Sequence, residues 1–213
     1  MSKVSDQMLL EKVNKLRDNI REFDSPNEFA FYSGIESVVE GDNRYFAFQY
    51  FNNSVKLTYP ELIAVDAHTG DPLDGGSQAV ISYYGFTAIQ SKVEKSVNEW
   101  VSFYELDDGR FYNKAFQGYT GDLLARNINI ITAKKKRIIS AFRAEAIDLG
   151  DLSFQVKVLP KVSLAMVVWL GDEDFPPSCK ILFDRSVNSF LPTDACAIVG
   201  SMFTHRILKI ANE

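Results

Sequence analysis

The chain has 213 residues, 46% of them hydrophobic and 13% aromatic, so it is long enough to bury a substantial core. Its formal net charge of −5 disfavours a nucleic-acid partner, because proteins that bind phosphate backbones are usually basic. No run approaches the roughly 20 apolar residues that span a bilayer, and the start MSKVSDQMLLEK lacks a secretory signal pattern. Composition therefore predicts a cytoplasmic protein without a membrane or nucleic-acid partner. Cys179 and Cys196 are expected to be reduced thiols, although their spacing leaves a disulfide open.

The first predicted element is an amphipathic helix over about residues 5–23. Apolar residues recur there at intervals of three and four from Leu9 to Phe23. The helix is expected to end at DSPN, because Pro26 disfavours a helical residue before it. RYFAFQYF and VKLTY then predict two strands of a hairpin around the turn NNS.

The middle of the chain is predicted to contain two helical stretches and a second hairpin. SQAVISYYGF indicates a short helix with Ser77 near its N-cap. WVSFYEL and RFYNKAF are predicted to pair as strands around Asp108-Gly109, since this dipeptide favours tight hairpin turns. The stretch that follows is predicted to be mostly helical up to Gly150, because apolar residues recur about every seven positions as far as Leu149.

The last third predicts three strands and a helix. LSFQVKVL alternates, whereas SLAMVVWL is continuously apolar and indicates a strand covered on both faces. CKILF is the next strand, and a helix is expected from Thr193, its predicted cap, to about Ala211. The whole pattern predicts one α+β domain over residues 1–213, with a mostly antiparallel sheet built from hairpins and with N-terminal, central and C-terminal helices.

An acidic run, Asp172-Glu173-Asp174, separates the last two strands. Carboxylates at a strand end can bind a divalent cation or a cationic group, and neighbouring aromatic rings can wall a pocket. The predicted ligand-binding residues are Trp169, Asp172, Glu173, Asp174, Phe175 and Asp184. The alternative is an ordinary solvated turn between two strands.

A metal-dependent enzyme is the chemical alternative. Asp172, Glu173 and Asp184 would be its ligands, with His68 as a further ligand or as the general base. His68 lies in DAHTGDPLDGG, whose residues equally form turns. Phosphate-loop, dinucleotide, zinc-protease and serine-hydrolase motifs are absent, so the sequence identifies neither a catalytic residue nor a cofactor.

Four blocks in order resemble a known family: WVSFYELDDGRFY, GDLSFQVKVLPKV, VWLGDEDFPPSCKILFD and FLPTDACAIVG. The chain is similar to the bacterial domain-of-unknown-function family thirty-seven eighty-six over about residues 44–208. The resemblance implies an origin in anaerobes and a link to corrinoid metabolism, because some members of the family look fused to an iron–sulfur domain of the corrinoid-protein type. This chain departs from the pattern at Asp174, where a second Glu is expected. It also lacks a cysteine-rich extension, so any cluster would belong to a partner.

These observations leave three hypotheses. The first is a non-catalytic binding or accessory module that acts beside a corrinoid or iron–sulfur protein. The second is a divalent-metal-dependent enzyme that uses the acidic loop 172–174. The third is a structural homo-oligomer.

Overall fold

The computed structural model of the protein describes residues 3–23 and 25–213. The helices are α1 (Lys3–Glu22), α2 (Pro26–Ser33), α3 (Gly75–Ser91), α4 (Gly109–Tyr119), α5 (Gly121–Ala125), α6 (Ile128–Ala133), α7 (Lys135–Phe142) and α8 (Thr193–Asn212). The strands are β1 (Glu36–Glu40), β2 (Asn43–Tyr50), β3 (Asn53–Thr58), β4 (Ala64–Asp66), β5 (Trp100–Ser102), β6 (Glu145–Ala146), β7 (Leu152–Leu159), β8 (Val162–Trp169) and β9 (Ser178–Asp184). Short 3₁₀ turns cover Phe103–Glu105 and Arg185–Ser189.

The strands form two antiparallel sheets, which confirms the predicted α+β class. Sheet A has the order β1-β2-β3-β4, and sheet B has the order β5-β9-β8-β7-β6. The structure has two sheets where one was predicted. Strand β4 is the last strand of the first sheet, helix α3 follows it, and β5 already belongs to the second sheet. A backbone hydrogen bond of 3.0 Å from Phe51 N to Val158 O joins the first hairpin to β7. The two sheets therefore meet along β2 and β7.

The N-terminal helix and the first hairpin are confirmed. Helix α1 buries Val13, Leu16 and Ile20, whereas Asp24, part of the predicted stop, lies outside the described residues. Strands β2 and β3 pair around Phe51-Asn52. Both turn residues have positive φ, 49° and 65°, which is the conformation of a tight hairpin turn.

The burial of β7 and β8 also follows the sequence pattern. In β7 the alternate residues Phe154, Val156 and Val158 are buried, and five consecutive residues of β8, from Leu164 to Val168, are fully buried. Helix α8 packs on one face of this sheet, where the rings of Phe154 and Phe203 meet edge to face at 6.5 Å. A single hydrophobic cluster connects both sheets with the helices.

The predicted hairpin around Asp108-Gly109 is wrong. Asp108 has the expected positive φ of 57°, but Gly109 begins helix α4 instead of a strand. The helix brings Phe116 onto Phe103, and the two rings stack at 4.1 Å with an angle of 10°. This packing outweighs the local turn preference of the dipeptide.

Three predicted helix boundaries also change. The central helical stretch is divided into α4 to α7 and ends at Phe142, so Leu149 and Gly150 lie in a loop after β6. Helix α3 is longer than expected, and Asp74 caps it by accepting a hydrogen bond from the backbone N–H of Ser77. Helix α8 has Pro192 at its N-cap, with the expected cap residue as its first helical residue. Within the described residues, no helix combines the length and the apolar character required to cross a membrane.

Candidate functional site

The acidic loop between β8 and β9 is a turn that Asp172 itself stabilises. Asp172 Oδ1 accepts hydrogen bonds of 2.9 Å from the backbone N–H groups of Asp174 and Phe175. The N–H of Asp172 donates to the carbonyl oxygen of Phe175, also at 2.9 Å. Glu173 and Asp174 are exposed. Asp172 therefore acts as an ordinary turn-forming aspartate.

The two aromatic residues of the predicted site face solvent. Phe175 is 70% exposed and Trp169 is 38% exposed. The Lys180 ammonium lies 5.9 Å from the centre of the Trp169 ring. Ligand binding by this loop stays a prediction.

Asp184 lies at the opposite end of β9 from the acidic loop. A strand of this length separates its ends by about 20 Å. The Asp184 carboxylate is buried and accepts hydrogen bonds from the backbone N–H groups of Val97 (3.2 Å), Asn98 (2.5 Å) and Ser186 (2.9 Å). The expectation that Asp184 joins the acidic loop is therefore wrong, because this carboxylate anchors the loop before β5.

His68 is also remote from these acids in the fold. It follows β4 in sheet A, and its backbone N–H donates a 2.8 Å hydrogen bond to Asp66 Oδ1. The proposed ligands Asp172, Glu173, Asp184 and His68 are thus not brought together. Across residues 3–23 and 25–213, no group of three or more His, Cys, Asp or Glu side chains is placed to hold a metal ion.

A different surface has the shape of a binding site. Two cavities, of about 630 and 550 Å³, border α8 at successive positions and share no lining residue. Each also borders α3 and α4, and the smaller one reaches Leu9 of α1. We call them together the α8 groove. On α8 its lining passes through Asp194, Ile198 and Met202, which are spaced four residues apart and share a face of the helix. The eight residue steps from Asp194 to Met202 correspond to about 12 Å along the axis of α8.

One half of the α8 groove is apolar. Its lining residues are Leu9, Gly75, Gly76, Tyr119, Ala197, Ile198, Ser201 and Met202. Gly76 allows the side chain of Met202 to lie close to α3, since a Cβ on Gly76 would stand 3.1 Å from Met202 Cε. A side chain at position 76 would therefore press on Met202, which lines this half of the groove.

The other half is acidic and aromatic. Asp107, Asp108 and Asp194 line it, together with the rings of Phe111 and Tyr112. The rings are 67% and 62% exposed and belong to consecutive residues, and neighbouring exposed apolar side chains can mark an interaction site. In the described part of the chain, the ion pairs use Asp18, Glu99, Glu105 and Glu213, and none involves the three groove aspartates.

A hydrogen-bond network holds the acidic half in place. The backbone N–H of Asp107 donates to Asn188 Oδ1 (3.2 Å), and the Thr193 hydroxyl donates to the carbonyl oxygen of Asp107 (2.6 Å). Asn188 Nδ2 also donates to Thr193 Oγ1 at 3.1 Å. The loop before α4 is thereby fixed to the start of α8.

The charge of Asp194 affects the pKa of a lysine in the neighbouring helix α1. The pKa of Lys12 in α1 is raised, mainly by its contact with Tyr83 and to a smaller extent by the charge of Asp194. The Lys12 ammonium lies 5.1 Å from the centre of the Tyr83 ring. Asp194 thus contributes a small favourable interaction with the Lys12 ammonium.

The cysteines lie outside this surface. Both are free and buried, and burial raises the pKa of the Cys179 thiol to about 12 and also raises the pKa of Cys196. Thiols in such surroundings do not ionise near neutral pH.

Fold and site thus define an α+β protein of two antiparallel sheets with a groove between helices. The family comparison adds a name for the class: a model described as "Domain of unknown function (DUF3786)" matches residues 25–206. The chain belongs to this family, which confirms the resemblance seen in the sequence. No curated protein and no solved structure matches the chain.

Proposed function

We propose that this chain is a protein-binding module whose α8 groove holds an amphipathic helix of a partner. The observation that carries the proposal is the pairing of an apolar half with an acidic, aromatic half along one helix face. Amphipathic helices dock in such grooves through residues at spacings of three, four and seven.

The charge distribution defines the partner. Three aspartates that form no ion pair with another described residue favour a helix with lysine or arginine near one end. The exposed ring of Tyr112 can contact the stems of those side chains or stack on an arginine, whereas the ring of Phe111 already has the Arg110 guanidinium 4.9 Å from its centre. The apolar half receives the aliphatic residues of the same helix.

The source of the helix is a further part of the proposal: a corrinoid or iron–sulfur protein. Its support is the family resemblance together with the burial of Cys179 and Cys196, whose raised pKa values make both thiols poor cluster ligands. The module is then an accessory to that protein. The expected observation is saturable binding to a purified corrinoid iron–sulfur protein by calorimetry, with loss of binding in Ile198→Glu.

The groove itself is tested with two labelled synthetic helices. One carries leucines at spacings of three and four with lysines on the other face, and the second has glutamate in place of every lysine. Fluorescence anisotropy should show binding of the lysine helix only. Ile198→Glu should abolish this binding, and Asp107→Lys should weaken it about threefold to tenfold.

The control is Asp174→Lys, which makes the same charge change on the exposed β8–β9 loop and should leave binding intact. Equal binding of both helices, or unchanged binding in Ile198→Glu, would contradict the proposal. If the chain instead associates with itself through the groove, sedimentation will show a dimer that Ile198→Glu dissociates. That result would favour the homo-oligomer over a separate partner.

A further inference from the structure

A second concave surface lies where the two sheets meet. Two cavities, of about 450 and 240 Å³, share the lining residues Arg143, Glu145, Lys157 and Pro160. They therefore adjoin and form one space, which we call the inter-sheet cleft. It is separate from the α8 groove, because β2, β7 and the end of α7 line the cleft, whereas α1, α3, α4 and α8 line the groove.

Cations dominate the middle of this cleft. Arg143 and Lys157 line both cavities, and within the described residues neither belongs to an ion pair. Lys161 lines the smaller cavity, and its ammonium donates to the carbonyl oxygens of Phe31 (3.1 Å) and Tyr32 (2.7 Å) at the end of α2. The charged groups of Arg143 and Lys157 are thus available to bind a ligand.

The remaining lining limits what the cleft can hold. Glu36 and Glu145 also face it, and Glu145 Oε2 accepts a 2.6 Å hydrogen bond from Gln155 Nε2. The cleft therefore suits one anionic group rather than a polyanion. Phe48, Phe142 and Leu159 form an apolar floor in the larger cavity. A small organic body fits there, since ligand cavities combine apolar walls with a few polar groups.

The backbone at Arg143 is left-handed, as it is at Lys92 after α3. Arg143 follows the last residue of α7 with φ 48° and ψ 43°, in the left-handed region that glycine adopts without cost. Asn52 Nδ2 holds this helix end by donating to Ala141 O at 2.9 Å. Glycine adopts this conformation at lower cost than arginine, so the side chain of Arg143 can be removed here without loss of the fold.

We propose that the inter-sheet cleft binds a small organic oxyanion, a carboxylate or a phosphate attached to an apolar body, through Arg143 and Lys157. The planar guanidinium of Arg143 offers two parallel N–H groups to such an oxyanion, and the Lys157 ammonium adds a second charge. The apolar body lies on Phe48 and Phe142.

The test uses phenyl phosphate and benzoate as probes, with benzylamine as a cation of similar size. Calorimetry on the full chain should show saturable binding of at least one anion and none of benzylamine. Arg143→Gly and Lys157→Gln should each weaken anion binding about tenfold or more. The probe that binds more tightly, phenyl phosphate or benzoate, distinguishes a phosphate ligand from a carboxylate ligand.

Arg143→Gly also controls for loss of structure, because glycine adopts the left-handed backbone conformation without strain. Its unfolding temperature should equal or exceed that of the parent chain, so lost binding cannot be attributed to lost structure. Lys180→Gln removes the same charge from an exposed position on β9, outside the cleft, and should leave anion binding intact. Absence of saturable anion binding, or binding that survives both Arg143→Gly and Lys157→Gln, would overturn the proposal. Neither result depends on helix binding in the α8 groove.

Discussion

Gly109 lies directly against the backbone carbonyl of Phe103, so that a Cβ on Gly109 would overlap the Phe103 oxygen. This contact lets α4 begin immediately after the turn and places Phe116 on the Phe103 ring. Because the obstacle is backbone, it cannot rotate away as a side chain could. The start of α4, and with it the acidic half of the α8 groove, depends on the absence of a side chain at this position.

We therefore expect Gly109→Ala to destabilise the protein by about 2 kcal/mol or more, through steric overlap. Gly118 in the same helix is the matched control, since a Cβ there meets nothing within 4 Å. Gly118→Ala should raise stability by up to about 1 kcal/mol, because alanine favours helix. Urea denaturation of both variants measures the contrast, and equal effects would show that the Phe103 contact relaxes.

Asp184 is expected to contribute to stability. Removing the buried carboxylate in Asp184→Ala deletes three partly buried hydrogen bonds, from the N–H groups of Val97, Asn98 and Ser186, at a cost of about 2 kcal/mol. Asp172→Asn should change stability by less than about 0.5 kcal/mol, because an asparagine Oδ1 accepts the same two turn hydrogen bonds. Denaturation curves that rank the two variants in the reverse order would refute this assignment.

The cap of α3 should make stability depend on pH. Burial of Asp74 opposes its ionisation, but hydrogen bonds from the N–H and hydroxyl of Ser77 outweigh burial and lower the pKa of the carboxyl below 3.8. A lowered pKa means that the ionised form stabilises the fold. This contribution is complete above pH 3.8 and is lost as the pH falls through the folded-state pKa.

Asp74→Asn retains a cap but cannot titrate. The stability difference between the parent chain and this variant should therefore narrow as the pH falls below 3.8. Asp74→Ala, which removes the cap, should cost about 1 kcal/mol near neutral pH. Urea denaturation at several pH values measures both effects, and a difference that grows on acidification would contradict the lowered pKa.

The thiols should report global unfolding. Cys179 and Cys196 are 1% and 0% exposed, and burial raises the pKa of both. A disulfide-exchange reagent should find no reactive thiol in the native chain and two after denaturation, at a rate set by unfolding. Rapid labelling of either cysteine under native conditions would show that local opening exposes it.

Elements with a strong local pattern were predictable from the sequence. The alternation of LSFQVKVL and the continuous apolar run of SLAMVVWL correctly identified one strand beside another that is covered on both faces. The same reasoning failed at Asp108-Gly109, because a tight turn and a helix start both use a residue with positive φ. Only the long-range contact of Phe103 with Phe116 decides between them.

The candidate site was less predictable than the fold. Its walls come from α1, α3, α4 and α8, and no local spacing shows that Leu9, Tyr119 and Ile198 line one cavity. One signal is available: Tyr112 and Tyr119 are seven residues apart and share a face if the stretch is helical, although the Asp-Gly dipeptide before it favours a hairpin. Asp184 is near the acidic loop in sequence, but strand β9 lies between the two, so nearness along the chain does not give nearness in space.

The self-contained turn at Asp172 has a practical consequence. Its hydrogen bonds close within four residues, its side chains face solvent, and it projects from the end of a hairpin whose strands are buried. Chain inserted between Glu173 and Asp174 would replace the turn hydrogen bonds of Asp172 but leave the pairing of β8 with β9 intact. A fluorophore-binding peptide or affinity tag placed there would provide a reporter at an internal position of the sequence.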